Sequence, residues 1–291
     1  RRIERHFSRE SVVDYRTMDH DYKHLLSLLD DENEQSASLA MAELLARDQK
    51  TLEPVLRKLQ ESSDPRLRRR IHQLQSTITL RRRRKSLTRN LSERSIDLLE
   101  GLIQIHLLWY DNDAYDTVKK QWETLVEESG KYHPETLEQL AYFMRKHSFV
   151  CSHRDEMESE FLCLGTILDE NTGADFMLCA IACLLAARWG LRVFITQSAE
   201  TDFILVDEFG NILVPVNDWD YIPFDGKQYA FEFWNTQMLL RYATALLFTC
   251  ATNSDSFRYV YTIGSCLSGD VSSDNLDFLP YPYGTDQKIE P

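Results

Sequence analysis

The sequence predicts an α+β protein, with all-α helical repeats and a helical region first and a buried helix on an antiparallel sheet after them. Leucines between residues 20 and 80 recur with an offset of about 32 residues, in the range of stacked helical repeats. The stretch 175–189 is apolar on every helical face, so protein must surround it. Short apolar runs at 191–195, 203–206 and 212–216 then indicate strands.

Composition sets the outer limits. The 291 residues suffice for about two domains, and 43% hydrophobic with 11% aromatic content is typical of a globular protein. The sequence contains no run of 18 or more apolar residues, so it does not predict a membrane-spanning helix. Six cysteines without a CxxC pair indicate neither a disulfide framework nor zinc, so we expect no cofactor and a cytoplasmic location. The N-terminus shows no signal-peptide pattern, and the start at Arg1 rather than Met leaves room for an upstream segment.

We expect three parts. Residues 1–94 form the helical repeats with a basic segment, 95–267 form the domain with the sheet, and 268–291 form an extended tail. The middle part divides into a helical lead-in at 95–150, a core at 151–235 and trailing helices at 236–267.

The repeats are predicted as two helical hairpins. Each has a helix, a polar turn and a second helix, over 22–29 with 36–46 and over 52–59 with 66–76. Asp64 is a suitable N-cap for the last helix, with Pro65 in its first turn. This pattern resembles HEAT-like repeats.

Positive charge is concentrated at residues 66–94, which hold eleven basic side chains and one acid. With a total of −13, this stretch is about +10 and the remainder about −23. One interpretation is a polyanion site, because clustered Lys and Arg release counterions from phosphates. The other is a helix face that docks on the chain's own acidic surface. The cluster lacks an aromatic residue that would stack on bases, so nucleic acid is not expected, and we expect the run 81–85 to be surface-exposed.

The lead-in is predicted to be helical. Ser95 can cap a helix over 96–110, a second amphipathic helix covers 115–128, and Pro134 opens a third with Leu137, Leu140, Ala141 and Met144 inward. The acidic run 111–113 lacks the glycine and the later glutamate of a calcium loop. We therefore expect it to be an interhelical turn.

The core has the layout of a cysteine-nucleophile fold, in which a buried helix carries Cys and the strands carry His with Asp or Asn. Yet every histidine precedes this unit. The eight are His6, His20, His24, His72, His106, His133, His147 and His153. The predicted core therefore lacks the histidine that acts as the base in such folds.

The stretch 160–191 holds, in order, Glu160-Phe161-Leu162, Ile167-Leu168, Gly173 and a helix that ends in Ala187-Arg188-Trp189-Gly190-Leu191. In order and spacing these elements resemble the bacterial SirB-type transglutaminase-like family. Leu98-Leu99-Glu100-Gly101 is similar to the family's leading helices, and the segment from 238 to 260 is similar to its trailing pair. The resemblance covers about residues 95–265 and implies a transglutaminase-like, papain-like core.

The departures from that family pattern concern its catalytic residues. The family nucleophile falls near Asp175 or Phe176, the family histidine aligns with Asp202, and the family aspartate aligns with Asn217. Cys179 is the nearest thiol and shares a helix face with Cys183. Two cysteines on a buried helix are more typical of packing than of chemistry or a metal pair.

Three hypotheses follow. The first is a non-catalytic transglutaminase-like protein that acts as an interaction or scaffold module, with another protein or a peptide as partner. In it Asp175, Phe176, Asp202 and Asn217 line a groove that holds a peptide or small polar ligand. The second is a cysteine-dependent acyl-transfer or hydrolase enzyme that uses Cys179 with Asp202 and Asn217, or with His147 or His153. The third is a polyanion-binding protein that works through residues 66–94.

Overall fold

The computed structural model describes residues 20–93, 96–153, 158–226, 230–254 and 256–269. Within them the chain is a mixed α+β protein, as the sequence predicts. The α-helices are α1 (His20–Leu28), α2 (Glu34–Ala46), α3 (Gln49–Leu59), α4 (Pro65–Glu93), α5 (Leu98–Trp109), α6 (Tyr115–Gly130), α7 (Leu137–Lys146), α8 (Leu164–Glu170), α9 (Asp175–Arg188), α10 (Thr236–Asn253) and α11 (Phe257–Ser268). The strands are β1 (Val150–Cys151), β2 (Thr172–Gly173), β3 (Val193–Gln197), β4 (Phe203–Asp207), β5 (Ile212–Val214) and β6 (Asp220–Ile222).

The described residues divide into two compact units, one up to Arg82 and one from Arg83 onward. The division falls inside α4. Each unit is described by itself. Most of the predicted tail, residues 270–291, and the predicted cap Ser95 lie outside the described residues.

The first unit consists of two helix pairs, α1 with α2 and α3 with α4, as predicted. Side chains in the turns cap three of the helices, because the first N–H groups of a helix have no partner within it. Asn33 accepts from the amide of Gln35 at 2.9 Å before α2, and Asp48 caps α3. Asp64 accepts from the amide of Arg66 at 2.7 Å, which confirms the predicted cap. The core between the helices is leucine-rich and includes Leu29, Leu44, Leu52, Leu56, Ile71 and Leu74.

Helix α4 does not end near residue 76 but continues through the basic run to Glu93. The prediction that the run 81–85 is surface-exposed holds for Arg82. It is wrong for Arg81, which is 3% exposed, and for Arg84, which is 5% exposed. The reason is that several arginines of α4 bind the ends of other helices. The last carbonyl groups of a helix lack partners and carry partial negative charge, and a guanidinium offers five N–H donors.

Three arginines of α4 illustrate this role. In the first unit, Arg70 donates to the carbonyl oxygens of Leu29 at 2.6 Å and Asp31 at 2.7 Å, just after α1. Arg81 donates to the carbonyl of Leu45 near the end of α2 at 2.8 Å. In the second unit, Arg83 donates to the carbonyls of Leu107, Asp111 and Asp113 at 2.9, 2.9 and 3.0 Å. It therefore holds the last turn of α5 and the acidic turn after it, which is the interhelical turn that the sequence predicts.

The lead-in helices of the second unit are close to the predicted positions. Asp97 caps α5 by accepting from the amide of Glu100 at 2.8 Å. Helix α7 begins at Leu137 rather than at Pro134, because Thr136 is its N-cap and accepts from the amide of Gln139 at 3.2 Å. The residues predicted to face inward from α7 are all buried.

The main sheet has the order β3-β4-β5-β6 and is antiparallel throughout. Helix α9 packs against β3 and β4, so the predicted pairing of a buried helix with an antiparallel sheet is confirmed. Several boundaries differ from the prediction: β3 ends at Gln197 rather than at 195, and β4 ends at Asp207 rather than at 206. Strand β3 begins at Val193, and β5 ends at Val214 because Pro215, which lacks an N–H donor, starts the 3-10 turn Pro215–Asn217. A separate parallel pair joins β1 to β2.

Candidate functional site

Asp175 lies at the first position of α9, directly after the short strand β2. Its carboxylate accepts from the amide of Phe176 at 2.7 Å and from the amide of Phe203 at 3.0 Å. Phe203 begins β4, so this single side chain joins the start of the helix to the start of a strand. Asp175 therefore has a structural role.

Phe176 is buried, and its ring belongs to an aromatic cluster rather than to an open surface. Its centroid lies 5.7 Å from that of Phe203 and 5.1 Å from that of Tyr242 on α10. Trp234 completes the cluster at 4.8 Å from Phe203 and 5.3 Å from Tyr242. These distances are typical of offset and edge-to-face contacts, and the four rings fill the space beside the start of α9.

Cys179 lies one turn further along α9 and is fully buried. Burial raises the pKa of its thiol well above the ordinary value, and the carboxylate of Asp175 raises that pKa further. Cys183 donates its S–H to the carbonyl of Val193 at 3.4 Å, and burial raises its pKa to about 11. Because the thiolate is the nucleophile and the metal ligand, both cysteines are held in their inert form at neutral pH.

Asp202 and Asn217 differ in their exposure to solvent and lie in different connections of the sheet. Asp202 is half-buried at the end of the β3–β4 connection, where its carbonyl accepts from the amide of Ser198 at 2.8 Å. Asn217 is exposed on the 3-10 turn that packs against α9. The structure therefore brings Asp175, Phe176 and the residue after Asp202 into contact, and it places Asn217 on the surface.

Trp219 anchors the turn that carries Asn217. It is completely buried and donates its indole N–H to the carbonyl of Phe149 at 2.7 Å. Both Asp218 and Trp219 have positive φ, at 50° and 57°, a region that a bulky residue rarely adopts. Burial of the indole stabilises this strained backbone and fixes the position of Asn217.

The two histidines nearest to the core in sequence are placed as follows. His147 ends α7, with Nδ1 3.5 Å from a carboxylate oxygen of Glu128 and its ring centroid 4.3 Å from that of Phe143. Its Nε2 is buried without a hydrogen-bond partner. His153 is exposed.

A third histidine, His106 on α5, has a hydrogen-bond partner at each ring nitrogen, and the sequence did not single it out. Its Nε2 lies 2.9 Å from the carboxylate of Asp113, and the amide of Gly165 donates to its Nδ1 at 3.3 Å. These partners select the neutral tautomer with the proton on Nε2. Gly165 must be small, because a Cβ there would lie 2.6 Å from the ring. The ring has no nitrogen left to act as a base, so this pair is structural.

We expect His106 to make stability depend on pH. Burial is the main cause that lowers its pKa below the ordinary 6.5, and the bond to Asp113 only partly opposes this. A lowered pKa means that the unfolded state binds the proton more readily. The contribution of neutral His106 to the free energy of unfolding is therefore complete above about pH 6.5. It is lost as the pH falls through the pKa of the folded state. Urea unfolding from pH 7.5 to pH 5 measures this, and the slope should flatten in His106→Gln. An equal slope in both proteins would contradict the assignment.

Within the described ranges, no group of three or more His, Cys, Asp and Glu side chains is placed to hold a metal ion. None of the helices in that part of the chain combines the length and the hydropathy needed to cross a bilayer. Comparison of the chain with protein-family models, with curated proteins and with solved structures gives no match.

Proposed function

We propose that the chain is a non-catalytic transglutaminase-like protein that acts as a protein-interaction or scaffold module. The observation that carries this proposal is the carboxylate of Asp175, which accepts from the amides of Phe176 and Phe203 at the position where the resembled family has its nucleophile. A thiol there would react with an acyl group, whereas this carboxylate ties a helix to a strand. The aromatic cluster around Phe176 supports the same conclusion, because its rings occupy the space beside the helix start.

The cysteine-enzyme alternative is less well supported. Acyl transfer needs a thiolate with a base within about 3 Å, and burial raises the pKa of Cys179 well above its ordinary value. The reference pKa of an aspartate, about 3.9, is also some 4 to 5 units below that of cysteine. A carboxylate such as that of Asp202 would therefore be a poor base for this thiol.

The contacts between arginines and helix ends argue against the polyanion alternative. Arg70, Arg81 and Arg83 donate to main-chain carbonyls, and Arg66 and Arg82 pair with Glu32 and Glu53. The guanidinium groups of Arg70, Arg81 and Arg83 already have acceptors within the protein, so they would release few counterions on meeting a phosphate.

The location that we propose is the cytoplasm. Six cysteines in a chain of this length are not a disulfide framework, and such usage is typical of a reducing compartment.

Thiol reactivity tests the non-catalytic part of the proposal. With iodoacetamide at neutral pH, we expect Cys179 of the native full chain to stay unmodified while the half-buried Cys151 reacts faster, since a buried thiol has little thiolate and little access. Both should react fully in denaturant, which is the internal control. Peptide mass spectrometry over a time course measures each site. Rapid, selective alkylation of native Cys179 would contradict the proposal and favour the enzyme.

A further inference from the structure

The four-stranded sheet is apolar on both faces. In an antiparallel pair, directly opposite residues share a face, and the register places Phe194, Val206, Ile212 and Ile222 in one row across all four strands. This row lies opposite to the face that carries Leu205 and Leu213, because side chains alternate along a strand. The two middle residues of the row, Val206 and Ile212, belong to a second core cluster, which also contains Ile204, Val214, Val216 and Phe231.

The sheet face that carries this row is the outer face, and a later segment of the chain covers only part of it. The covering segment returns along β3, where the amide of Trp234 donates to the carbonyl of Ile195 at 2.8 Å and the hydroxyl of Thr196 donates to the carbonyl of Glu232 at 2.8 Å. It brings Phe231 onto the cluster and Phe233 to 5.0 Å from Phe194. The segment thus extends the apolar surface at the β3 side of the sheet.

Large apolar side chains remain in solvent at both edges of the row. Phe194 is 42% exposed, Ile222 is 43% exposed and Phe233 is 47% exposed. We call these three residues, together with Phe231, the outer-face patch. The three phenylalanines are in contact, since the Phe233 ring lies 5.0 Å from that of Phe194 and 6.1 Å from that of Phe231. Exposed apolar clusters of this kind are typical of interaction sites, and aromatic side chains often supply much of the binding energy there.

The part of the chain that carries the patch is acidic. Asp220 is paired with Val214 and therefore lies on the same face, and exposed Glu232 adjoins Phe231 and Phe233 in the sequence. The segment 192–234 holds eight acidic residues and two basic ones, a net charge of −6. A partner that covers the patch must bring positive charge to it.

Resting on the proposed interaction function, we propose that the outer-face patch binds a segment of another protein that carries apolar side chains and a net positive charge. A second copy of this chain is a poor occupant, because it would place one acidic rim against another and its own net charge is −13. An anionic lipid surface is disfavoured for the same reason. The apolar residues of the segment would contact the phenylalanines, and its Lys or Arg residues would interact with acidic side chains of this part of the chain, such as Asp220.

Selection of random peptides displayed on phage, with the full chain as bait, tests the proposal. We expect the enriched peptides to combine aromatic or aliphatic residues with net positive charge. Their affinity should fall about tenfold or more in Phe194→Ser/Phe233→Ser and should weaken with salt. The matched control is Phe257→Ser on α11, which removes a ring that is 46% exposed elsewhere in the same unit. Thermal melts establish that each variant is folded. Should the serine pair unfold the protein, Asp220→Lys/Glu232→Lys gives the same test through charge.

Several outcomes would overturn this assignment. They are the absence of any enriched peptide, enrichment of acidic peptides, and equal loss of binding in the Phe257→Ser control. A dimer in sedimentation that dissociates in the serine pair would assign the patch to a second copy instead. Binding that is insensitive to the patch variants would leave an interaction function in place but on another surface. Failure of the non-catalytic proposal is seen separately, as alkylation of native Cys179.

Discussion

Replacing Arg83 with Gln should lower the free energy of unfolding of the second unit by about 2–4 kcal/mol. Arg83 donates to the carbonyls of Leu107, Asp111 and Asp113, and glutamine is too short and has too few donors to replace all three bonds. The acceptors would then lose partners at the end of α5, where carbonyl groups have no helical partner. Urea unfolding followed by far-UV circular dichroism measures the change.

The matched control is Arg89→Gln on the same helix, where the side chain is exposed. It removes the same charge and should change the unfolding free energy by about 0.5 kcal/mol or less. Equal effects at the two positions would show that charge, rather than binding of the helix end, determines the cost.

Replacing Trp219 with Ala should cost about 3–5 kcal/mol, the usual range for a buried tryptophan. The substitution removes a fully buried ring, leaves the carbonyl of Phe149 without its donor, and releases the positive-φ backbone at 218–219. Amide hydrogen exchange at 212–222 should accelerate at the same time, because the ring holds the turn in place. Guanidinium unfolding gives the free energy and mass spectrometry gives the exchange.

Two further variants separate the parts of this effect. Trp219→Phe keeps most of the apolar burial but removes the indole donor, and we expect it to cost about 1–3 kcal/mol. Trp109→Phe, at a half-buried ring that stacks on Tyr259 at 4.2 Å, should cost about 1 kcal/mol or less. An unfolding free energy of Trp219→Ala within about 1 kcal/mol of the parent would contradict the anchoring role.

Periodicity predicted the elements whose burial it directly encodes. The helix pairs of the first unit, the buried helix α9 and the strands β3 to β5 all follow from the spacing of apolar residues. The prediction that the basic run is exposed was wrong for Arg81 and Arg84, because it was based on composition and not on periodicity. Ile71, Leu74 and Ile78 are buried at spacings of three and four, and the next step of three reaches Arg81. The pattern therefore contained the signal that this arginine faces inward.

The candidate site was less predictable because its contacts join residues that are far apart in sequence. Asp175 binds an amide 28 residues away, and His106 meets Gly165 at a separation of 59. No local spacing encodes such pairs, since they depend on how helices and strands pack. The sequence could show that the residue types of a catalytic site are missing, but the structural role of Asp175 required the fold.

The contact between His106 and Gly165 also has a consequence for the divergence of related chains. A Cβ at position 165 would lie 2.6 Å from the imidazole, and the ring is held by Asp113 on its other side. Any side chain larger than glycine at 165 therefore demands a smaller residue at 106, and loss of the ring in turn removes the need for an acid at 113. Among natural variants that share this fold, the residues at 106, 113 and 165 should therefore change together. Correlated substitution at these three positions would identify chains that are related to this one.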